Sequence, residues 1–584
     1  QFARIRNQIY KPPIGSMKEG EVPVILAVKS GTPLPSAVRV ILRIEPTKSE
    51  KNTLDIITAR VSLSDIGLLD QSFIIKYPST TRVCTDTGFE GEMEEGRTIA
   101  EELGIKTHAH RSGSAQAVKV NVGIIDFGMD FAHTHFIRNG RTRIRAIWNQ
   151  SGTETNENSS DVPYGTLYRS EQIDRALMTN DPYEALGYGP PADSLYETGA
   201  HGTYVADIAA GSGFGGQGAG LAPNAGIIFV DLARTSAHNF VGSRYGDSAQ
   251  LLEAVDFILK ETDCDPCVIN ISLGSNDGPH DGMTLVELGI DRLIENKPNC
   301  AVVIAGGNTR DQRLHASGTV DPGGIFDLIW YVPPYDMTSN EIELWYPVSK
   351  DLSVQILDPD NAPLTEPIKP GRCAEVPVGS GGRMMVFHRA SDPTHEQFDG
   401  DKKGVVYIFY ERCDGYLRKG RWKLRLRNEG KAGIRFDAWI ERDERGQSVF
   451  VYPDESSSVV SEDNTLNSIA HGKHTIVVGS CKHAGVEQAD SSFTSFSQHA
   501  SRPDILAPGE SVLAARSGTA VLRYRQTGTS MSAAVVTGLL ARKISEGAGS
   551  GYRDCREVLE KSSQPAKRAD PGYPSFRFLA GSDE

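Results

Sequence analysis

Long apolar runs are missing from this chain. Stretches such as VVIA and AAVV stay short, far below the roughly 18 residues that a membrane-crossing helix needs, so no membrane partner is expected. Positive charge is also in deficit, with 61 Lys and Arg against 75 Asp and Glu and a formal net charge of −14. Nucleic-acid binding leans on clustered Lys and Arg to offset phosphates, so no nucleic-acid partner is expected either. The one basic stretch, RKGRWKLRLR from Arg418, alternates charged and apolar side chains and predicts a half-exposed β-strand. Cysteine is sparse: eight residues lie scattered without framework spacing. Only Cys264 and Cys267 form a CxxC, and no second pair stands at zinc spacing. That motif runs straight into the apolar strand VINISLG instead of opening a helix. Reduced structural thiols are the expectation, which favours the cytoplasm over a secreted setting. The chain begins with Gln1 and not Met, which leaves a removed signal peptide open.

What is present is a globular composition, 39% hydrophobic and 23% charged over 584 residues, enough for three or four structural units. Residues 1–21 read as a tail. From Val22 to about residue 90 the segments VRVILRIEP, ITARVSLSDIGLLDQ and FIIKYPSTTRV give a small α+β unit. Residues 91–117 read as a linker with one short helix. Apolar strand cores then alternate with amphipathic helices over 118–316 and again over 461–546. That rhythm predicts an α/β unit, a doubly wound parallel sheet covered on both faces. Between them, 317–460 is strand-rich with turn residues between the strands, and an all-β, sandwich-like insert is expected. Residues 547–584 read as a polar C-terminal tail with one helix.

Four segments carry chemistry. Asp126 ends the apolar strand in VNVGIIDFGMD, and His201 opens a small-residue helix in ETGAHGTYVADIAAG. Asn308 follows two glycines in CAVVIAGGNTR, and Ser530 starts an apolar helix in QTGTSMSAAVVTGLLA. Functional groups in open parallel sheets collect at the carboxyl ends of strands. A serine hydroxyl becomes a useful nucleophile only when an imidazole takes its proton, and the imidazole needs a carboxylate to fix its tautomer. An amide donor and a helix N-terminus can stabilise the oxyanion. Taken singly, Asp126 could be a strand-end cap, His201 a satisfied core histidine, Asn308 a turn former and Ser530 an N-cap.

Taken together, in the order Asp, His, Ser, these boxes resemble the subtilisin-like serine peptidase family, in particular bacterial members with an N-terminal propeptide-like domain and a β-rich insert. The resemblance covers about 118–316 and 461–546. It implies a subtilisin-like fold and a serine endopeptidase working through an acyl-enzyme, with protein or peptide substrates. Asp126 would orient, His201 would act as base and then acid, Ser530 would attack, and Asn308 would donate to the oxyanion. Ser272, Leu273 and Gly274 would pair with the substrate backbone, and Ala305, Gly306 and Gly307 would form the facing wall of the specificity pocket. The unit at 22–90 is similar to the family's chaperone and inhibitor domain. It implies a zymogen whose own N-terminal domain lies in the cleft near Ser272–Gly274, with processing near 80–117.

Three positions depart from the family pattern: Tyr204 where a second histidine is usual, Asp207 where a small residue is usual, and Ala534 where a proline is common. Asp207 is expected to face solvent. The pairs His108/His110 and His133/His135 lack an acidic or thiol partner at ligand spacing, and His133 matches a packing position of the family. No cofactor is expected for catalysis. Many relatives carry structural calcium, and with no EF-hand-like loop here that question stays open. The alternatives are a catalytically silent regulator or binding protein on the same fold, and a peptide ligase using the same acyl-enzyme chemistry.

Overall fold

The computed structural model describes residues 21–50, 53–62, 65, 69, 74–76, 88–90, 98–104, 119–152, 161–189, 200–213, 218–232, 248–336, 339–379, 382–398, 402–412, 415–441, 448–452, 459–482, 491–565 and 577–579. The strand cores of the alternating segments assemble into one ten-stranded sheet. Its order is Thr166–Arg169, Ile144–Asn149, Gly226–Asp231, Asn121–Asp126, Cys267–Ile271, Cys300–Ala305, Ile476–Cys481, Ile505–Pro508, Arg577–Leu579 and Ser563–Pro565. The inner strands pair in parallel and the two edge strands antiparallel. Every residue of Asn121–Asp126, Cys267–Ile271 and Cys300–Ala305 is buried, as strands covered on both faces must be. Val122 and Ile124 pack with the helices His201–Ala210 and Thr529–Ser545. Ile125, on the other face, packs with Ser248–Thr262 and Leu285–Glu295.

Two stretches expected as connectors belong to this unit. Within 91–117, the helix Ile99–Glu102 is capped by Thr98 and buries Ile99, Ala100 and Leu103 in the same core as the histidine-bearing helix. Within 547–584, the helix Tyr552–Lys561 buries Cys555 and Leu559 there, and Arg577–Leu579 adds a parallel strand beside Ile505–Pro508. The helix itself is legible from Tyr552, Cys555, Val558 and Leu559 at helical spacing; its docking onto the core is not. The six described cysteines are free, with Cys264 and Cys373 exposed.

The N-terminal unit is a four-stranded antiparallel sheet ordered Arg39–Ile44, Leu54–Ser62, Glu21–Lys29, Ile74–Lys76. Residues 66–68, where a helix was expected, lie outside the described residues. Strand alternation divides its faces: Val24, Leu26 and Val28 form its own core, while Ile25 and Ala27 join the core beneath Ser248–Thr262 and Leu285–Glu295. Across that junction Arg60 and Glu253, both buried, form a two-pronged ion pair at 3.0 and 2.9 Å.

The insert is a β-sandwich. One antiparallel sheet runs His315–Val320, Ile434–Glu441, Asn340–Pro347, Lys403–Arg412, Gly382–Arg389, Arg372–Val378, and the other Leu352–Leu357, Gly420–Asn428, Ile325–Val332, Val449–Val451. Their inner faces share one core around Trp330, Trp422, Leu344 and Ile408. The basic strand Gly420–Asn428 alternates as expected: Trp422, Leu424 and Leu426 point in, and Arg425 pairs with Asp327 at the surface.

The insert's outer face grips the loop that follows Gly274. Glu441 accepts the Asn276 N–H at 2.7 Å, and Glu343 accepts the Gly278 N–H at 2.8 Å. Trp439 stacks on His280 (ring centroids 4.2 Å apart, planes at 4°) and on His315 (4.8 Å, 19°). Burial pushes His280 down to about 4, with His315 adding to the shift and Asp281 and Asp437 opposing it. A histidine held neutral in the fold but protonated at its ordinary value when unfolded contributes stability that is present above pH 6.5 and lost as pH falls through 4. The loss should be of order 3 kcal/mol. Glu287, near His471 in the same interface, is pushed up to about 8 by burial and slopes the opposite way. The clean measurement is therefore wild type against His280→Phe, which keeps the stack without the titration. Unfolding between pH 4 and 7 should show a flatter acid limb in the variant, and identical limbs would refute this assignment.

Candidate active site

Asp126 stands at the carboxyl end of its strand, fully buried, and its Oδ1 accepts the Phe127 N–H at 2.6 Å. His201 is the first residue of its helix, close against the strand Gly226–Asp231. A β-carbon on the next residue, Gly202, would stand 2.5 Å from the Phe229 ring, so only glycine lets the helix start there. His201 Nδ1 lies 2.8 and 2.9 Å from the two carboxylate oxygens of Asp126. A carboxylate only accepts, so Nδ1 carries the proton and Nε2 presents its lone pair. Nε2 is buried and has no hydrogen-bond partner.

Ser530 is the second residue of the helix Thr529–Ser545, which packs on the histidine helix. Its Oγ donates to the Ser272 carbonyl at 3.4 Å. Asn308 follows the strand Cys300–Ala305, and its Oδ1 accepts the Thr529 N–H at 2.8 Å. That bond fixes the carboxamide with Nδ2 directed away from Thr529. Ser530 and Asn308 line a small pocket together with Ser272, Leu273, Gly274, Ala305 and Gly307. Gly306 does not line it; its carbonyl instead accepts the Asn467 N–H at 2.8 Å. Asn276, Thr309, Asn467 and Thr529 also line the pocket, and none of the four was picked out by the sequence.

Asp207 is buried, not solvent-facing. The Val512–Ala515 strand covers that side of the helix, with the Ala515 N–H donating to Asp207 at 2.8 Å and His135 Nδ1 at 2.7 Å on its other oxygen. Burial pushes this carboxyl up, but His135 and His133 outweigh it and hold the group below its ordinary value. His133 is pushed down to about 4 by burial and by His135. This histidine pair is tied to Asp207 and to the Leu522 carbonyl, while His108 and His110 lie outside the described residues. Tyr204 reaches the hydroxyl of Tyr524, and Ala534 is buried in the serine helix. Among the described residues no group of three His, Cys, Asp or Glu is arranged to hold a metal ion, and no helix is long and apolar enough to cross a membrane.

A model of the subtilase family matches residues 118–329 and 445–581, leaving out most of the insert. Among solved structures, the Clostridium perfringens CspB protease is similar at 24% identity and a TM-score of 0.64, over 80% of this chain and 93% of that one. The epidermin leader peptide processing serine protease of Staphylococcus aureus aligns at 12% identity and a TM-score of 0.40, over 96% of each chain. Fervidolysin from Fervidobacterium pennivorans aligns at 12% identity and a TM-score of 0.42, over 98% of this chain and 62% of that one. No curated protein matches the chain in sequence.

Proposed function

The chain belongs to the subtilase family of serine peptidases, and from that premise we propose that it is an endopeptidase with Asp126, His201 and Ser530 as its triad and Asn308 as oxyanion donor. Ser530 Oγ attacks the carbonyl carbon of the scissile bond and its proton passes to His201 Nε2. The carbonyl π electrons move onto oxygen, where Asn308 Nδ2 and the N–H groups at the start of the serine helix stabilise them. Collapse expels the amine, which takes the proton from His201 and leaves an acyl ester on Ser530. Water, deprotonated by His201, adds to the ester carbonyl; the bond to Ser530 Oγ then breaks, Oγ takes the proton back from His201, and the acid leaves.

The observation that carries this reading is the buried Nε2 of His201, without a partner while Nδ1 is held by Asp126. A buried acceptor left unpaired costs about 1–3 kcal/mol, which a reacting hydroxyl would recover. Replacing Asn308 with Ala should lower kcat about 10²–10³-fold with a smaller change in KM; that magnitude is subtilisin's own and is carried over. An unchanged kcat would remove Asn308 from the oxyanion site.

The same reading includes a zymogen. Gly88–Glu90 extends the hairpin of Val512–Ala515 and Arg523–Thr527 as a third strand, with Gly88 opposite Thr527. Thr527 is three residues before Ser530, so the described part of the connection passes close in sequence to the serine helix. Residues 77–87 and 91–97 lie outside the described residues. A fluorophosphonate probe with intact-mass readout tests both claims. Ser530-dependent labelling that is weak in the full chain and strong after a cut within 80–117 is expected. Equal labelling before and after the cut would refute latency, and no labelling in either form would refute the peptidase.

A further inference from the structure

The primary specificity pocket is largely occupied by the protein itself. Its walls are the segments ending in Gly274 and Gly307, and a segment from beyond the insert bridges them. The Asn467 N–H donates to the Gly306 carbonyl and the Ser468 N–H to the Ser275 carbonyl, each at 2.8 Å. From this bridge the Asn467 side chain rises between the two walls, where its Nδ2 donates to the Ala305 carbonyl at 3.0 Å. A β-carbon placed on Gly274 would lie 2.3 Å from Asn467 Cγ, and one on Gly307 would lie 2.7 Å from its Oδ1. Real β-carbons do not approach other atoms so closely. The carboxamide therefore fills the slot between two bare glycine backbones, which is where a substrate side chain would have to enter. The cavity left beside it is small, about 30 Å³.

We infer that Asn467 closes the specificity pocket and restricts the residue on the acyl side of the scissile bond to glycine, alanine or serine. This rests on the peptidase reading above and narrows its substrates to peptide bonds that follow a small residue. The physical reason is exclusion. A leucine or phenylalanine side chain needs the volume that the carboxamide holds, and the carboxamide is tied from both ends, by its own backbone N–H and by the Ala305 carbonyl. Small side chains stop short of it, and a serine hydroxyl finds polar neighbours in Asn467, Asn276 and Thr309 at the pocket wall.

The test is a peptide series differing only at the residue before the scissile bond, with kcat/KM read by mass spectrometry for the wild type, Asn467→Ala and Asn467→Leu. The wild type should cleave after Ala at least about 100-fold faster than after Phe or Leu, the scale on which a pocket discriminates by size. Asn467→Ala should reverse or erase that ratio. Asn467→Leu, which keeps the branched shape of Asn with two methyl groups in place of the amide oxygen and nitrogen, should keep it, which separates filling from hydrogen bonding. Fluorophosphonate labelling of Ser530, which needs no occupant in the pocket, reports whether each variant retains a working site. A labelled wild type that cleaves as readily after Phe as after Ala overturns this inference alone. A labelled Asn467→Ala with an unchanged profile does the same. Absence of Ser530-dependent labelling in every form, the linker-cut form included, overturns the peptidase reading and this inference with it.

Discussion

Ser530→Ala and His201→Ala should each lower kcat about 10⁶-fold, and the double variant should lose no more than either alone. The magnitude is that of subtilisin. The non-additivity follows from the proposed mechanism. In that mechanism nucleophile and base act in one proton transfer, so once His201 Nε2 cannot take the proton, Ser530 Oγ would have nothing further to lose. Asp126→Asn should cost about 10⁴-fold through a different route. An amide facing Nδ1 at 2.8–2.9 Å can present its N–H, which favours the imidazole tautomer with the proton on Nε2, where it cannot accept from Ser530. Residual activity of about 10³–10⁴ over water should persist in all of these, because Asn308 and the serine helix remain. Single-turnover hydrolysis of one peptide across the four variants checks the set. Additive losses in the double variant would mean that Ser530 and His201 do not work as one unit.

The strongest sequence signals were those in which chemistry dictates residue type within a short window. HGT on a small-residue helix and GTSM before an apolar one can be read because each sets fixed residue types in a short window, and at Gly202 the close approach of Phe229 leaves room for little else. The parallel sheet was legible for the same kind of reason, since strands buried on both faces leave unbroken apolar runs. What escaped depends on contacts between distant segments. Asp207 looks solvent-facing on its helix because nothing in HGTYVADIAAG reveals the Val512–Ala515 strand that covers it. Asn467 is one polar residue in TLNSIAHG, and only the fold shows that it rises between Gly274 and Gly307. Arg577–Leu579 is three residues long, and its place in the sheet is set by its neighbour Ile505–Pro508 and not by any period of its own. The pairing of Gly88–Glu90 with Arg523–Thr527 joins segments far apart in the chain, which strand propensity does not decide.

Removing Glu253 should release the N-terminal unit. Arg60 is fully buried and gives both terminal nitrogens to the Glu253 oxygens, which also accept the hydroxyls of Thr58 (2.6 Å) and Tyr164. Glu253→Ala leaves a buried guanidinium without its counter-charge, a change that costs about 3–5 kcal/mol. The fold has a cheaper escape than burying it, which is to undock the four-stranded sheet from the helices Ser248–Thr262 and Leu285–Glu295 and return Arg60 to water. After a cut within 80–117, the wild-type N-terminal unit should stay bound through size exclusion, while that of Glu253→Ala should dissociate with an affinity lower by roughly 10²–10⁴-fold. Fluorophosphonate labelling of the cut protein should rise in step if the unit restrains the site. Substituting Met at both Arg60 and Glu253 should restore docking, because a buried ion pair replaced by apolar side chains of similar volume loses the desolvation cost along with the attraction. Retention of the unit by Glu253→Ala at wild-type affinity would show that the apolar contacts of Ile25, Ala27, Leu42, Ile44 and Ile56 hold it without the pair. Release that leaves labelling unchanged would separate docking from inhibition and make the unit a structural domain of the folded enzyme.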